Sequence, residues 1–214
     1  TGGFGCDTTE DLVLRWLQYS LFTPLFRNHS ADGTRMQELY RFDNVNTAGE
    51  MVKIRYCLIP YLYSEYLKAA MNGGMMYRPL SFDFPDDGMA AQVEDQLFLG
   101  NELMIAPIYK QNANGRYVYL PEEMMMIRMR SYDDYETEIL PAGHHFVKDA
   151  LNELVFFIRK GKAIPFAKPA ENTAKLDTSS FGMLGYAGGA YELYSDDGIS
   201  PEPKDSLKID LLTK

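Results

Sequence analysis

The hydrophobic pattern changes period at Gly73-Gly74, and no other feature of the chain narrows its folding options as far. Before that pair, apolar residues recur three and four apart, as on one face of a helix. After it they fall into short runs with two-residue alternation, as on strands. Both periods in separate blocks predict helices first and strands afterwards, two architectures in one chain. Leu12, Val13, Trp16, Leu17 and Leu21 keep the helical spacing, with Thr8 and Asp11 set as a capping box and Pro24 beyond the end. A helix over about residues 9–21 follows. Thr47 and Glu50 form a second capping box before the stripe Met51, Ile54, Leu58, Leu62, Tyr66 and Ala69, which Gly73 and Gly74 end. Pro60 inside this longer helix removes a backbone donor and crowds the preceding turn, predicting a kink near residues 56–60. Between the helices, residues 24–30 begin apolar and end polar, which predicts a buried strand with a polar rim.

Beyond Met75 the alternation predicts strands in residues 77–84, 102–109, 117–120, 124–129 and 154–158, with residues 89–98 as one short helix among them. Asp87-Gly88, Asn114-Gly115 and Ala142-Gly143 supply turns at intervals that suit a β-sandwich. Residues 165–180 are polar and broken by Pro169. A last apolar run, Tyr191-Glu192-Leu193-Tyr194, ends in Ser195-Asp196-Asp197-Gly198 and predicts a small distal β unit with a tight turn.

The 214 residues, 46% of them hydrophobic, can bury a substantial core. A formal net charge of -9 leaves no positive field to hold a polyanion, so nucleic acid is not an expected partner. Cys6 and Cys57 are too few for a disulfide framework or a thiolate metal site, and they make a reducing, cytoplasmic setting the default. No apolar run is long enough to span a bilayer, so no membrane partner is expected. The chain opens on glycine-rich loop sequence without an initiator Met, and is expected to be a piece of something longer.

His29 stands where an apolar run turns polar, beside Arg27 and Asn28, and all three can hydrogen-bond hydroxyl groups. A structural histidine is the commoner reading of such a position. Phe4, after small residues, is either a presented ring or a buried loop anchor. His144-His145 lacks the spacing and third ligand of a metal centre, and reads as surface or edge-strand sequence. The acidic pairs Asp86-Asp87, Asp133-Asp134 and Asp196-Asp197 match turn chemistry and no calcium loop. No nucleophile elbow, Walker loop or dinucleotide glycine pattern occurs, so neither metal nor cofactor is expected.

Taken in order, several blocks resemble glycoside hydrolase family 31, the retaining α-glucosidases and α-xylosidases. Gly2-Gly3-Phe4 looks like the end of the family's Asp-Ile-Gly-Gly-Phe stretch, and residues 14–18 match its Arg-Trp-x-Gln helix. The most specific block is Phe22-Thr23-Pro24-Leu25-Phe26-Arg27-Asn28-His29-Ser30 with Gly33-Thr34-Arg35-Met36-Gln37-Glu38, similar to the family's Pro-Phe-x-Arg-Asn-His block. Residues 55–63 resemble the family's Arg-Tyr-x-Leu-Leu-Pro-Tyr-Leu-Tyr helix. Further matches follow at residues 78–80, 96–100, 103–107, 158–161 and 196–198, so the resemblance covers nearly the whole chain. Leu39 stands where the family commonly has Pro after Gln-Glu, and Thr1 where many relatives carry Ile.

The resemblance implies an α/β plus all-β fold: the terminal part of a (β/α)8 TIM barrel, a C-terminal β-sandwich and a small distal β unit. The expected divisions are residues 1–78, 79–162 and 163–214. It implies that His29 hydrogen-bonds the sugar in the glycone subsite and that Phe4 lines it, with Arg27 in the same block. The family's nucleophile and acid/base aspartates are expected upstream of residue 1. Retaining hydrolysis needs two carboxyl groups across the scissile bond, so the chain alone is expected to be inactive. Expected partners are an α-linked oligosaccharide and the remainder of the barrel, with a homo-oligomer left open. The alternative is a stand-alone carbohydrate-binding β-sandwich, which would have no use for the two N-terminal helices. The Arg-Asn-His-Ser form favours the glucosidase branch.

Overall fold

The computed structural model of the protein describes residues 2–199 and the backbone of residues 209–212. Two helices precede the sheets. Helix α1 (Glu10–Ser20) begins one residue later than the capping-box reading places it: the Thr9 side chain accepts the Leu12 N–H at 3.3 Å. Thr8 is fully buried, and its hydroxyl donates to the Gly2 carbonyl at 2.7 Å. Glu10 and Asp11 complement the positive end of the helix.

Helix α2 (Val45–Asn72) starts two residues before the expected cap at Thr47, and Gly73 ends it. Its N-cap, Asn44, makes no side-chain cap bond. Instead the Asn44 N–H donates to Glu10 at 2.6 Å, while Glu50 pairs with Lys53. The helix continues through Pro60. One turn before it, the Cys57 carbonyl, in the region where proline loosens the ladder, accepts the Ala167 N–H at 3.0 Å.

Residues 24–30 form no strand, and Leu25 is 70% exposed. A strand must share its N–H and C=O groups with a neighbour, and no strand lies beside this segment among the described residues.

The strands are β1 (Tyr77–Pro79), β2 (Leu97–Leu99), β3 (Leu103–Ile105), β4 (Gly115–Leu120), β5 (Met124–Met129), β6 (Tyr135–Leu140), β7 (Gly143–Lys148), β8 (Leu154–Arg159), β9 (Ala163–Phe166), β10 (Gly182–Gly185), β11 (Ala190–Leu193) and β12 (Ile209–Leu212). Strand β1 gives way to a helical turn at Leu80–Asp83, and the helix expected at residues 89–98 is a 3-10 turn, Ala90–Gln92, followed by β2. An antiparallel six-stranded sheet runs β1-β2-β3-β8-β5-β6. Strands β4 and β7 form a separate ribbon, as do β9 with β10 and β11 with β12.

The six-stranded sheet is covered on both faces. Leu99, Leu103, Ile127, Phe156 and Ile158 share a core with Leu14, Leu17, Met51, Ile54 and Leu58 of the helices. Their neighbours Phe98, Met104, Met126 and Phe157 pack against Val118, Leu120 and Val147 of the β4–β7 ribbon. Double coverage explains the apolar runs Met124–Ile127 in β5 and Leu154–Ile158 in β8, where alternation would otherwise leave every second residue polar.

Candidate functional site

The N-terminal loop and residues 27–37 meet to present two rings to solvent. Gly2 has φ +99, and a Cβ there would stand 3.0 Å from Gln37 Nε2 and 3.1 Å from Asn28 Oδ1, so only glycine allows this approach. The Thr8 hydroxyl pins the loop through the Gly2 and Gly3 carbonyls. Phe4 is left 65% exposed at its tip.

On the second segment, Asn28 Nδ2 donates to the Gln37 carbonyl at 2.5 Å. Gln37 Nε2 donates in turn to Asn28 Oδ1 at 2.9 Å and to the His29 carbonyl at 2.7 Å. Gln37 is 2% exposed, and its Oε1 has no hydrogen-bond partner among the described residues. This clamp sets the direction of His29, whose ring stacks on Phe4 with centroids 5.2 Å apart and planes 6° from parallel. The result is a stepped platform of two parallel, offset rings with a polar imidazole edge. Arg27 is exposed two residues before His29. The structure thus brings Phe4 and His29 into contact from segments distant in sequence. Gln37, which no motif singled out by itself, lies inside the most specific resembling block.

Such a platform is suited to stacking against another ring, and retaining hydrolysis would need a pair of carboxyl groups besides. Asp7, on the same loop, accepts the Arg35 N–H at 2.8 Å. Glu65 and Glu102 do come together, under α2, and their oxygens are engaged internally. Glu65 receives Lys68 at 2.8 Å and the Tyr191 hydroxyl at 2.7 Å, and Glu102 receives the Asn101 N–H at 3.1 Å. Burial, then repulsion from Glu65, pushes the Glu102 carboxyl up. Among the described residues no group of three or more His, Cys, Asp or Glu side chains could hold a metal ion, and no helix is long and apolar enough to cross a membrane. His144 lies against Tyr119, and His145 Nε2 is 2.8 Å from the Pro141 carbonyl.

A third set of residues fastens the site to the sheets. Arg15 is buried in α1 and donates to the Asp149 carbonyl at 2.7 Å, the Ala113 carbonyl at 3.0 Å and Gln18 Oε1 at 3.0 Å. Gln18 Nε2 reaches the carbonyls of Leu151 and Glu153 at 2.9 and 2.6 Å. The Arg-Trp-x-Gln pattern is therefore a staple between helix and sheet.

Residues 1–65 match the family model for the glycosyl hydrolases family 31 TIM-barrel domain, and residues 73–164 match that for the glycosyl hydrolase family 31 C-terminal domain. The chain belongs to glycoside hydrolase family 31, as a C-terminal portion of it. Alpha-glucosidase 2 of Bacillus thermoamyloliquefaciens is 33% identical over 97% of this chain and 27% of its own length. The alpha-glucosidase of Aspergillus niger is 30% identical over 98% of this chain and 22% of its own length. The chain thus spans about a quarter of the length of the curated relatives it matches. Among solved structures it is similar to the Tris-bound glucosidase II alpha subunit, with a TM-score of 0.80 and 23% identity over 92% of this chain and 22% of that one. A glucose-bound family 31 dextranase of Flavobacterium johnsoniae gives a TM-score of 0.73 and 26% identity over 90% of this chain and 24% of that one.

Proposed function

We propose that the chain is the C-terminal part of a retaining α-glucosidase that removes terminal α-linked glucose from oligosaccharides, with Phe4, Arg27 and His29 as its share of the glycone wall. The observation that carries this reading is the Phe4–His29 stack, which joins the Gly2-Gly3-Phe4 stretch to the block whose resemblance to the family is most specific. A pyranose ring offers an apolar face to such a platform and hydroxyls to the imidazole edge. The alpha-glucosidase names of the Bacillus and Aspergillus relatives support glucose as the sugar. In this reading residues 1–78 close the catalytic barrel, residues 79–162 form a β-sandwich and residues 163–214 a distal unit. The nucleophile and acid/base come from the remainder of the barrel, so the chain alone does not turn over.

The test joins two measurements. In the enzyme assembled with the remainder of the barrel, His29→Ala lowers kcat/KM on maltose by about 2–4 kcal/mol of transition-state stabilisation and leaves the melting temperature nearly unchanged. A destabilised but kinetically normal variant would remove His29 from the site. The purified 214-residue chain is expected to show no hydrolysis of an aryl α-glucoside. Turnover abolished by a substitution within it would sink the proposal.

A further inference from the structure

The β4–β7 ribbon spends its outward face on rings. Its register sets Tyr117 opposite Phe146 and Tyr119 opposite His144, while the alternate residues Val118, Leu120 and Val147 point into the core. A solvated ribbon face is ordinarily polar. Here Tyr117 is 72% and Phe146 55% exposed, and Tyr109, on the adjoining loop, is 61% exposed. The rings hold one another in place: Tyr117 and Phe146 meet edge to face at 5.2 Å, and Tyr119 and His144 lie 4.9 Å apart.

Polar groups are fixed between these rings. Asp95 accepts the Tyr109 hydroxyl at 3.0 Å and Arg116 Nη2 at 2.5 Å, and the Arg116 guanidinium stands 5.8 Å from the Tyr109 ring centre. Two hollows, of about 660 and 360 Å³, are both lined by Asp95, Tyr109, Arg116 and Tyr117, so they form one open groove along the ribbon.

We propose that this groove is a second carbohydrate-binding surface, which holds a neutral oligosaccharide chain against Tyr109, Tyr117 and Phe146. Rigid rings give contact area at little entropic cost, and sugars stack their C–H faces on such rings while their hydroxyls reach polar edges. The Asp95–Arg116 pair cancels its own charge, Glu94 in the larger hollow is offset by Lys110 in the smaller one, and the chain carries -9 overall, so the groove has no net positive charge with which to hold a polyanion. The groove is open along its length, as an extended chain requires. The proposal rests on the glycosidase reading only for the choice of α-glucan as the sugar.

The test uses the 214-residue chain in gels containing soluble amylopectin, and an NMR titration with maltoheptaose. Amylopectin is expected to retard the chain, and maltoheptaose to shift amides of residues 109–119 and 144–146. Tyr117→Ala, on the ribbon, and Tyr109→Ala, on the loop, each weaken binding by about tenfold. The second variant keeps the test decisive if the first fails to fold. His29→Ala leaves this binding intact. No retardation and no shift would overturn the proposal, as would binding lost in His29→Ala and kept in both tyrosine variants; that last result leaves the glycone reading standing.

Discussion

Replacing Arg15 by Met removes the charge that holds α1 to the loop before β8 while keeping most of the side-chain volume. Arg15 is 3% exposed and stands 3.3 Å from the Asp149 carboxylate, besides its bonds to the carbonyls of Asp149 and Ala113. Removing one member of a buried ion pair costs about 3–5 kcal/mol, because the other charge stays buried. Two carbonyls also lose their donor, so we expect about 4 kcal/mol near pH 7, a large share of the stability of a domain this size. The loss depends on pH in a defined direction. Burial pushes the Asp149 carboxyl up to about 6 against the opposing pull of Arg15, and the variant pushes it further. An acid whose folded pKa lies above its unfolded one stabilises most at low pH, and that contribution is lost as pH rises through the folded value. The deficit of Arg15→Met should therefore shrink by about 1–2 kcal/mol between pH 7 and pH 5, as Asp149 takes up a proton. Urea unfolding followed by the fluorescence of Trp16, the single tryptophan, measures both quantities. A loss under about 1 kcal/mol near pH 7, or one that is the same at both pH values, would refute the ion pair as the source of the attachment.

Three further outcomes are expected. Gly100→Ala should cost more than about 3 kcal/mol or abolish soluble expression, because a Cβ there stands 2.4 Å from the Glu65 carboxylate and 2.5 Å from the Tyr61 hydroxyl. Gly73→Ala, with the same φ of +64 but nothing within 4 Å, should cost about 1 kcal/mol, and equal melting temperatures for the two would contradict the steric argument. A thiol reagent should modify exposed Cys6 in the native chain and reach Cys57, buried and pushed up to about 12, only after unfolding; two fast native thiols would count against the packing of α2.

The elements that were legible in the sequence are those with a strong apolar demand. Strand β5 coincides with the run at residues 124–129, and β8 extends the run at residues 154–158 by one residue. Strand β6, Tyr-Glu-Thr-Glu-Ile-Leu, buries no residue and so carries no hydrophobic signal. Strands β1 and β3 fall inside the runs expected at residues 77–84 and 102–109 but keep only three residues each, while β2, equally short, begins within residues 89–98, which read as a helix. Thr8 and Thr9 are chemically equal as caps, and only the burial of Thr8 under the Gly2 loop decides between them. The apolar start of residues 24–30 suggested burial, but nothing among the described residues covers Leu25. Phe4 and His29 could be picked out as candidates, yet their stacking depends on Gln37, a bond between segments that periodicity does not register.

The core shared by α1, α2 and the inner face of the six-stranded sheet bears on how such enzymes can be recombined. The two family models divide between residues 65 and 73, at the end of α2, which looks like a natural seam for exchanging parts between relatives. A chimera joined there would set the α1 and α2 faces of one parent, with Leu17, Met51 and Leu58, against Leu103, Ile127 and Phe156 of the other. Cores tolerate hydrophobic exchange only when volume and shape are kept together. Inheritance of the helices and the sheet as one block, with Arg15 and Asp149 from the same parent, is what the packing asks of any such graft.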